Sequence, residues 1–180
     1  MEPATLNDRR IIAAQLGREP RGLRGIATRC PHGYPQVIVV HPIVDGKPFP
    51  TTFWLTCPLL SKEIDRLEAR GLIHELERML RDDRHLAARF LAAHRAYIEE
   101  RLSLLSPDER SYLEERRMLK SLTERGIGGI ADFTRIKCLH LHTAHALARS
   151  NPIGESVLAR IPRPACPAED VICAELTSRG

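Results

Sequence analysis

One change of hydrophobic period constrains this chain more than any other feature. Up to Thr56 the apolar residues come in short runs, Leu23 to Thr28, Gln36 to His41 and Thr51 to Thr56, separated by proline and glycine. From Ser61 to Arg125 they recur every three or four residues instead. The first pattern reads as strands and the second as amphipathic helices. Asp45-Gly46 supplies turn chemistry between the second and third runs, so the three form an antiparallel meander. The expected fold is therefore α+β, a small antiparallel three-stranded sheet packed against a mainly helical bundle.

Finer punctuation divides the helical part. Asn7 can cap a first short helix that Gly17 stops. In the long block, Leu67, Ile73, Leu76 and Leu80 mark one helix with Gly71 as a weak point, and Asp82-Asp83 breaks it from a second carrying Phe90, Ala93 and Tyr97. Ser106-Pro107-Asp108-Glu109 combines an N-cap, a proline at the first helical position and a capping-box glutamate. It should open a third helix running to about Glu124. Residues 61–125 hold 14 basic and 14 acidic side chains, as solvated helix faces do, and His74, His85 and His94 are expected on those faces. Gly126-Ile127-Gly128-Gly129 follows a helix and lacks the lysine and hydroxyl of a phosphate loop, so it reads as a turn. At 180 residues the chain suits one domain, expected over 1–160, with a disordered proline-containing tail over 161–180.

Composition excludes several functions. Aromatics are only 4% and the net charge is +4, too little of either for a dedicated nucleic-acid binder. No apolar run approaches the roughly 18 residues of a membrane span. The sequence starts polar and acidic, without the basic and apolar regions of a signal peptide. A cytoplasmic protein is the expectation. Its five cysteines, 30, 57, 138, 166 and 173, are odd in number and irregular in spacing. Disulfides are then not expected; such thiols bind metal, react, or fill core space.

The densest chemistry lies in Lys137-Cys138-Leu139-His140-Leu141-His142-Thr143-Ala144-His145. As a helix, at about 100° per residue, it places Cys138, His142 and His145 on one stripe and His140 opposite. With an extended start, Cys138, His140 and His142 share a face instead. The helix is favoured because Ala144 to Arg149 continue it, and Cys138 then sits where the helix dipole favours a thiolate. Cys30 follows the first strand and Cys57 ends the third, so the meander brings both to one edge, and Pro31 and Pro58 turn the chain away behind them. Cys30, Cys57 and Cys138 with His142 or His145 would make a Cys3His zinc site. Three thiols could equally hold an iron–sulfur cluster. The histidines favour zinc. Arg29, Arg135 and Lys137 are expected to line an anion pocket beside the thiols, for an anionic small molecule. The competing reading makes Cys30 and Cys57 small buried hydrophobes and leaves the histidines on a helix surface.

Several blocks carry a resemblance: Cys30-Pro31-His32-Gly33-Tyr34-Pro35, Pro48-Phe49-Pro50-Thr51-Thr52-Phe53-Trp54-Leu55-Thr56-Cys57-Pro58, Gly126 to Ile130, Lys137 to His145, and Asn151-Pro152-Ile153-Gly154. Together they resemble the bacterial domain-of-unknown-function 501 family over roughly residues 6 to 160. The resemblance implies no activity. It does imply that Cys30, Cys57, Cys138, His140, His142 and His145 belong to recurring family blocks, which strengthens the metal reading. Cys166 and Cys173 lie outside it and are not expected as shared ligands. Relatives tend to be encoded beside a septum-formation initiator and an exopolyphosphatase-like protein. The alternative is therefore a non-catalytic interaction module for a cell-division or polyphosphate-related protein partner, with structural cysteines.

Overall fold

A computed structural model describes residues 1–178. Helix α1 (Leu6–Leu16) leads into strands β1 (Leu23–Arg29) and β2 (Pro35–Val40). The two-residue strands β3 (Ile43–Val44) and β4 (Lys47–Pro48) follow, and then β5 (Phe53–Leu55). Helices α2 (Pro58–Ala69), α3 (Leu72–Asp82), α4 (Arg84–Ser103), α5 (Pro107–Glu115) and α6 (Lys120–Thr123) form the central block. After a 3-10 turn at Ile127–Gly129 come α7 (Leu139–Ala148), α8 (Pro152–Leu158) and α9 (Ile172–Ser178). The fold is α+β.

The three-stranded sheet has the order β1-β2-β5, antiparallel throughout. β2 reads Pro-Gln-Val-Ile-Val-Val and is buried along its whole length because both of its faces are covered. Val37 and Val39 point into the main core with Phe53 and Leu55, whereas Ile38 and Val40 join Ile12 and Ile26 under α1. Asp45 and Gly46, both at positive φ, turn the β3–β4 hairpin, which forms a ribbon of its own beside the sheet.

The first helix is capped by Thr5, whose side chain exchanges hydrogen bonds with Asp8, and not by Asn7, which lies inside it. Gly71 does more than weaken a helix. At φ 85° it ends α2 and N-caps α3, so the single expected helix is two. Asp83 caps α4 through the N–H groups of His85 and Leu86, and the capping box at Ser106 and Glu109 opens α5. That third helix stops well short of Glu124, because Arg117 takes φ 55° and turns the chain into α6. Asn151-Pro152, expected to end the Cys/His helix, also starts α8. In the expected tail, α9 lies against α1 and α2, and the segment's last two residues fall outside the described ones. Among the described residues no helix is long and apolar enough to cross a membrane.

Candidate metal centre

Helix α7 places the Cys/His segment at the junction of β5, α2 and α8. Cys138 is its N-cap, with extended backbone at φ −158° and ψ 151°. That residue therefore does not follow the helical 100° step, and the stripe joining it to His142 and His145 is not formed. Instead Cys138 faces His140 and Glu68 of α2. One ligand atom from each of the three lies within 4.8 Å of the other two. Among the described residues no other set of three His, Cys, Asp or Glu side chains meets that condition.

Glu68 joins the site through two contacts. Its Oε1 accepts the Leu139 N–H at 2.5 Å, satisfying an orphan donor at the start of α7, and stands 3.4 Å from His140 Nδ1. Asp65, one turn earlier on α2, lies 3.3 Å from His140 Nε2, at the same distance as the Ser61 carbonyl. The Cys138 thiol, then Glu68 and Asp65, raise the His140 pKa against the opposing cost of burial. Sequence reasoning missed Glu68. Its one signal was the Asp65–Glu68 spacing, which puts two carboxylates on one helix face, and only the tertiary packing of α2 on α7 turns that face toward His140.

Next to these side chains opens a cleft of about 420 Å³, lined by Leu16, Arg18, Trp54, Leu55, Cys138 and His140 among others. Arg18 lies over the Trp54 ring, 4.9 Å from its centroid. It is the cation of this cleft. The three expected there are engaged elsewhere. Arg29 is paired with Asp8 at 2.8 Å and with Glu2, Arg135 with the buried Glu77 at 2.9 Å, and Lys137 donates to the Gly128 carbonyl at 3.0 Å.

His142 and His145 point the other way, into the core, and are 1% exposed each. Asn151 organises them. Its Nδ2 donates to Nδ1 of both rings at 3.2 Å, and its Oδ1 accepts from the N–H groups of Ile153 and Gly154 to cap α8. Both rings therefore carry their proton on Nε2. His94, expected to face solvent, is fully buried beside them. It stacks on Phe133 and accepts the Ile127 N–H at Nδ1. Replacing Asn151 with Ala removes the α8 cap and strands two buried ring nitrogens. A loss of about 2–4 kcal/mol is expected by chemical denaturation, and an unchanged midpoint would contradict this role.

Cys30 and Cys57 do meet at one edge of the sheet. The Cys30 N–H bonds to the Tyr34 carbonyl and the Thr56 N–H to the Gln36 carbonyl, so the two cysteines flank the start of β2. Cys57 is the N-cap of α2 and is buried. Burial raises its thiol pKa, as do the neighbouring Cys173 and Cys30. The N–H groups of Leu60 and Leu59 oppose this without closing a cap hydrogen bond of normal geometry. The structure thus brings the expected ligands together in three places: Cys138 with His140, Cys30 with Cys57, and His142 with His145.

A family model described as "Protein of unknown function (DUF501)" matches residues 26–159. Nothing among curated proteins or solved structures matches the chain.

Proposed function

The chain belongs to the DUF501 family, and from the geometry of its own site we propose that it binds a divalent transition metal, zinc foremost, through Glu68, Cys138 and His140. The single observation that carries this reading is the mutual approach of a thiol, an imidazole and a carboxylate from two elements at the mouth of a cleft. Sulfur, nitrogen and oxygen donors together suit zinc better than calcium or magnesium, which take oxygen alone. Three protein ligands would leave a fourth position for water or an anionic oxygen ligand, beside the cleft that Cys138, His140 and Arg18 line. Asp65, beside His140, would orient that ring from outside the coordination sphere. Iron–sulfur chemistry is less well supported here, because a single thiol stands in this group.

The test is elemental analysis, with an absorption spectrum, of protein purified without oxygen. One colourless zinc in this site is expected, and Cys138→Ser and Glu68→Gln should each lower its occupancy at least tenfold at limiting metal. Full occupancy in Cys138→Ser overturns the reading. A second reading has one observation in its favour: Cys138 and His140 are paired side by side at a helix start, the arrangement of a cysteine nucleophile and its base. Rapid alkylation of Cys138 in metal-free protein, suppressed in His140→Ala, would favour it.

A further inference from the structure

Four of the five cysteines gather away from the centre described above, and they come from four separate segments. Cys30 follows β1 and opens a tight turn, Cys30-Pro31-His32-Gly33, closed by the Gly33 N–H on the Cys30 carbonyl at 2.9 Å, with Gly33 at φ 81°. Cys57 begins α2. Cys166 is tied to the same turn through its carbonyl, 2.8 Å from His32 Nε2. Cys173 lies in α9, which rests on α1 and α2, and its sulfur accepts a hydrogen bond from Gln15 Nε2 at 3.2 Å. The same Gln15 nitrogen holds the Pro35 carbonyl at 2.8 Å, so one side chain spans the sheet edge and the C-terminal segment.

We propose that Cys30, Cys57, Cys166 and Cys173 form a second, closed metal site that takes one zinc ion and fastens the C-terminal segment to the edge of the sheet. The chemistry is that of a tetrathiolate structural site, which needs four sulfurs and no open position. The Gln15 amide N–H aimed at the Cys173 sulfur is the kind of donor that stabilises a metal-bound thiolate. The thiols stand close enough to act on one another, Cys173 and Cys30 on Cys57, and Cys30 and Cys166 on Cys173. A divalent ion supplies the positive charge that lets neighbouring thiolates coexist. On binding, four thiols release four protons to solvent and four sulfur–zinc bonds form, with no change of oxidation state. The thiols are not already drawn to bonding distance of one ion, since among the described residues only the Glu68 group has its ligand atoms within 4.8 Å. Binding thus pulls the segment around Cys166 and α9 inward. Two of the four ligands, Cys30 and Cys57, lie within the family match, and two lie beyond residue 159, where it ends.

The experiment is zinc stoichiometry and cysteine alkylation mapping on the full chain, wild type and variants. Two zinc ions per chain are expected. Cys166→Ser and Cys173→Ser each lose one, and Glu68→Gln loses only the other. With zinc present, Cys30, Cys57, Cys166 and Cys173 should resist alkylation and become reactive together once a chelator is added. If Cys173→Ser fails to fold, Cys166→Ser at a half-buried position carries the test. The proposal is overturned if both tail variants keep the wild-type zinc content, or if zinc leaves the alkylation of Cys166 and Cys173 unchanged. Iron with sulfide in place of zinc overturns it too. One zinc that Glu68→Gln retains and the tail variants lose would uphold this site while removing the one at Cys138.

Discussion

Arg101→Met is expected to unfold at a temperature roughly 6–12 °C below wild type, from a loss of about 3 kcal/mol at 2–4 °C per kcal/mol for a chain of this size. Arg101 is fully buried in the last turn of α4. Its Nη1 donates to the Pro50 carbonyl at 2.7 Å, and Nη2 donates to the carbonyls of Leu122 and Arg125. The guanidinium also lies 5.7 Å from the centroid of the Tyr97 ring. Among the described residues no carboxylate is paired with it. Burial draws its pKa down to about 10, which still leaves it charged at neutral pH. The cation is held by carbonyl dipoles from three separate points of the chain. Methionine fills much of the volume and removes the cost of burying a charge, which limits the loss. It leaves three carbonyls without their donor, which decides the sign. Arg101→Lys should recover only part of the stability, because a compact ammonium cannot fork between Pro50 and the α6 end. A thermal scan placing Arg101→Met within about 2 °C of wild type would refute the clamp.

Arg101 also shows where sequence reading runs out. Periodicity placed the core-facing residues of α4 correctly, since Phe90, Ala93 and Tyr97 are all buried. It could not separate Arg101 or His94 from solvated neighbours, because burial of a polar side chain depends on partners supplied by distant segments: Pro50, Leu122 and Arg125 for one, Ile127 and Phe133 for the other. The strands were legible because β-branched runs between prolines have few alternatives, and the antiparallel order followed from short connections. Helix ends were less so. The αL turns at Gly71 and Arg117 are local events, and only glycine announces itself in sequence.

For the candidate site, the meander argument brought Cys30 and Cys57 to one edge, as the hydrogen bonds around β2 show. The position of Cys138 was less accessible. A helical stripe assumes helical backbone at every residue, whereas an N-cap residue is extended and aims its side chain off the stripe. One residue's dihedral angles decide whether the thiol faces His140 or His142. Asn151 belongs to the same class of detail: a cap at the start of α8 that reaches back to two histidines of α7.

Acid should unfold this protein through its core histidines before it does so through carboxylates. His94 and His145 are held near pKa 4, against an ordinary 6.5, because burial disfavours the imidazolium. Around His94 stand Phe90, Phe133, the Ile127 N–H and the neutral His142, and around His145 stand Phe53, Tyr97, Asn151 and the Arg149 cation. None of these supplies a negative charge. The unfolded chain takes up these two protons near pH 6.5 and the folded chain only near pH 4. The stability they represent is thus complete above about pH 7 and drains as pH falls toward 4. A tenfold weaker hold on a proton corresponds to about 1.4 kcal/mol, so the two rings together represent several kcal/mol. Burial lowers His142 as well, to about 3, so His140, raised and not lowered, opposes this as one group against three. Asp8, held well below the carboxylate range by Arg29, loses its contribution only below about pH 4 and so leaves the window clear. Urea midpoints at pH 7.5, 6 and 5 should fall steadily. His94→Gln, which keeps an acceptor for the Ile127 N–H but cannot take a proton, should fall less steeply by about one proton. Midpoints that hold constant from pH 7.5 to 5 would show that these rings are not locked neutral in the core.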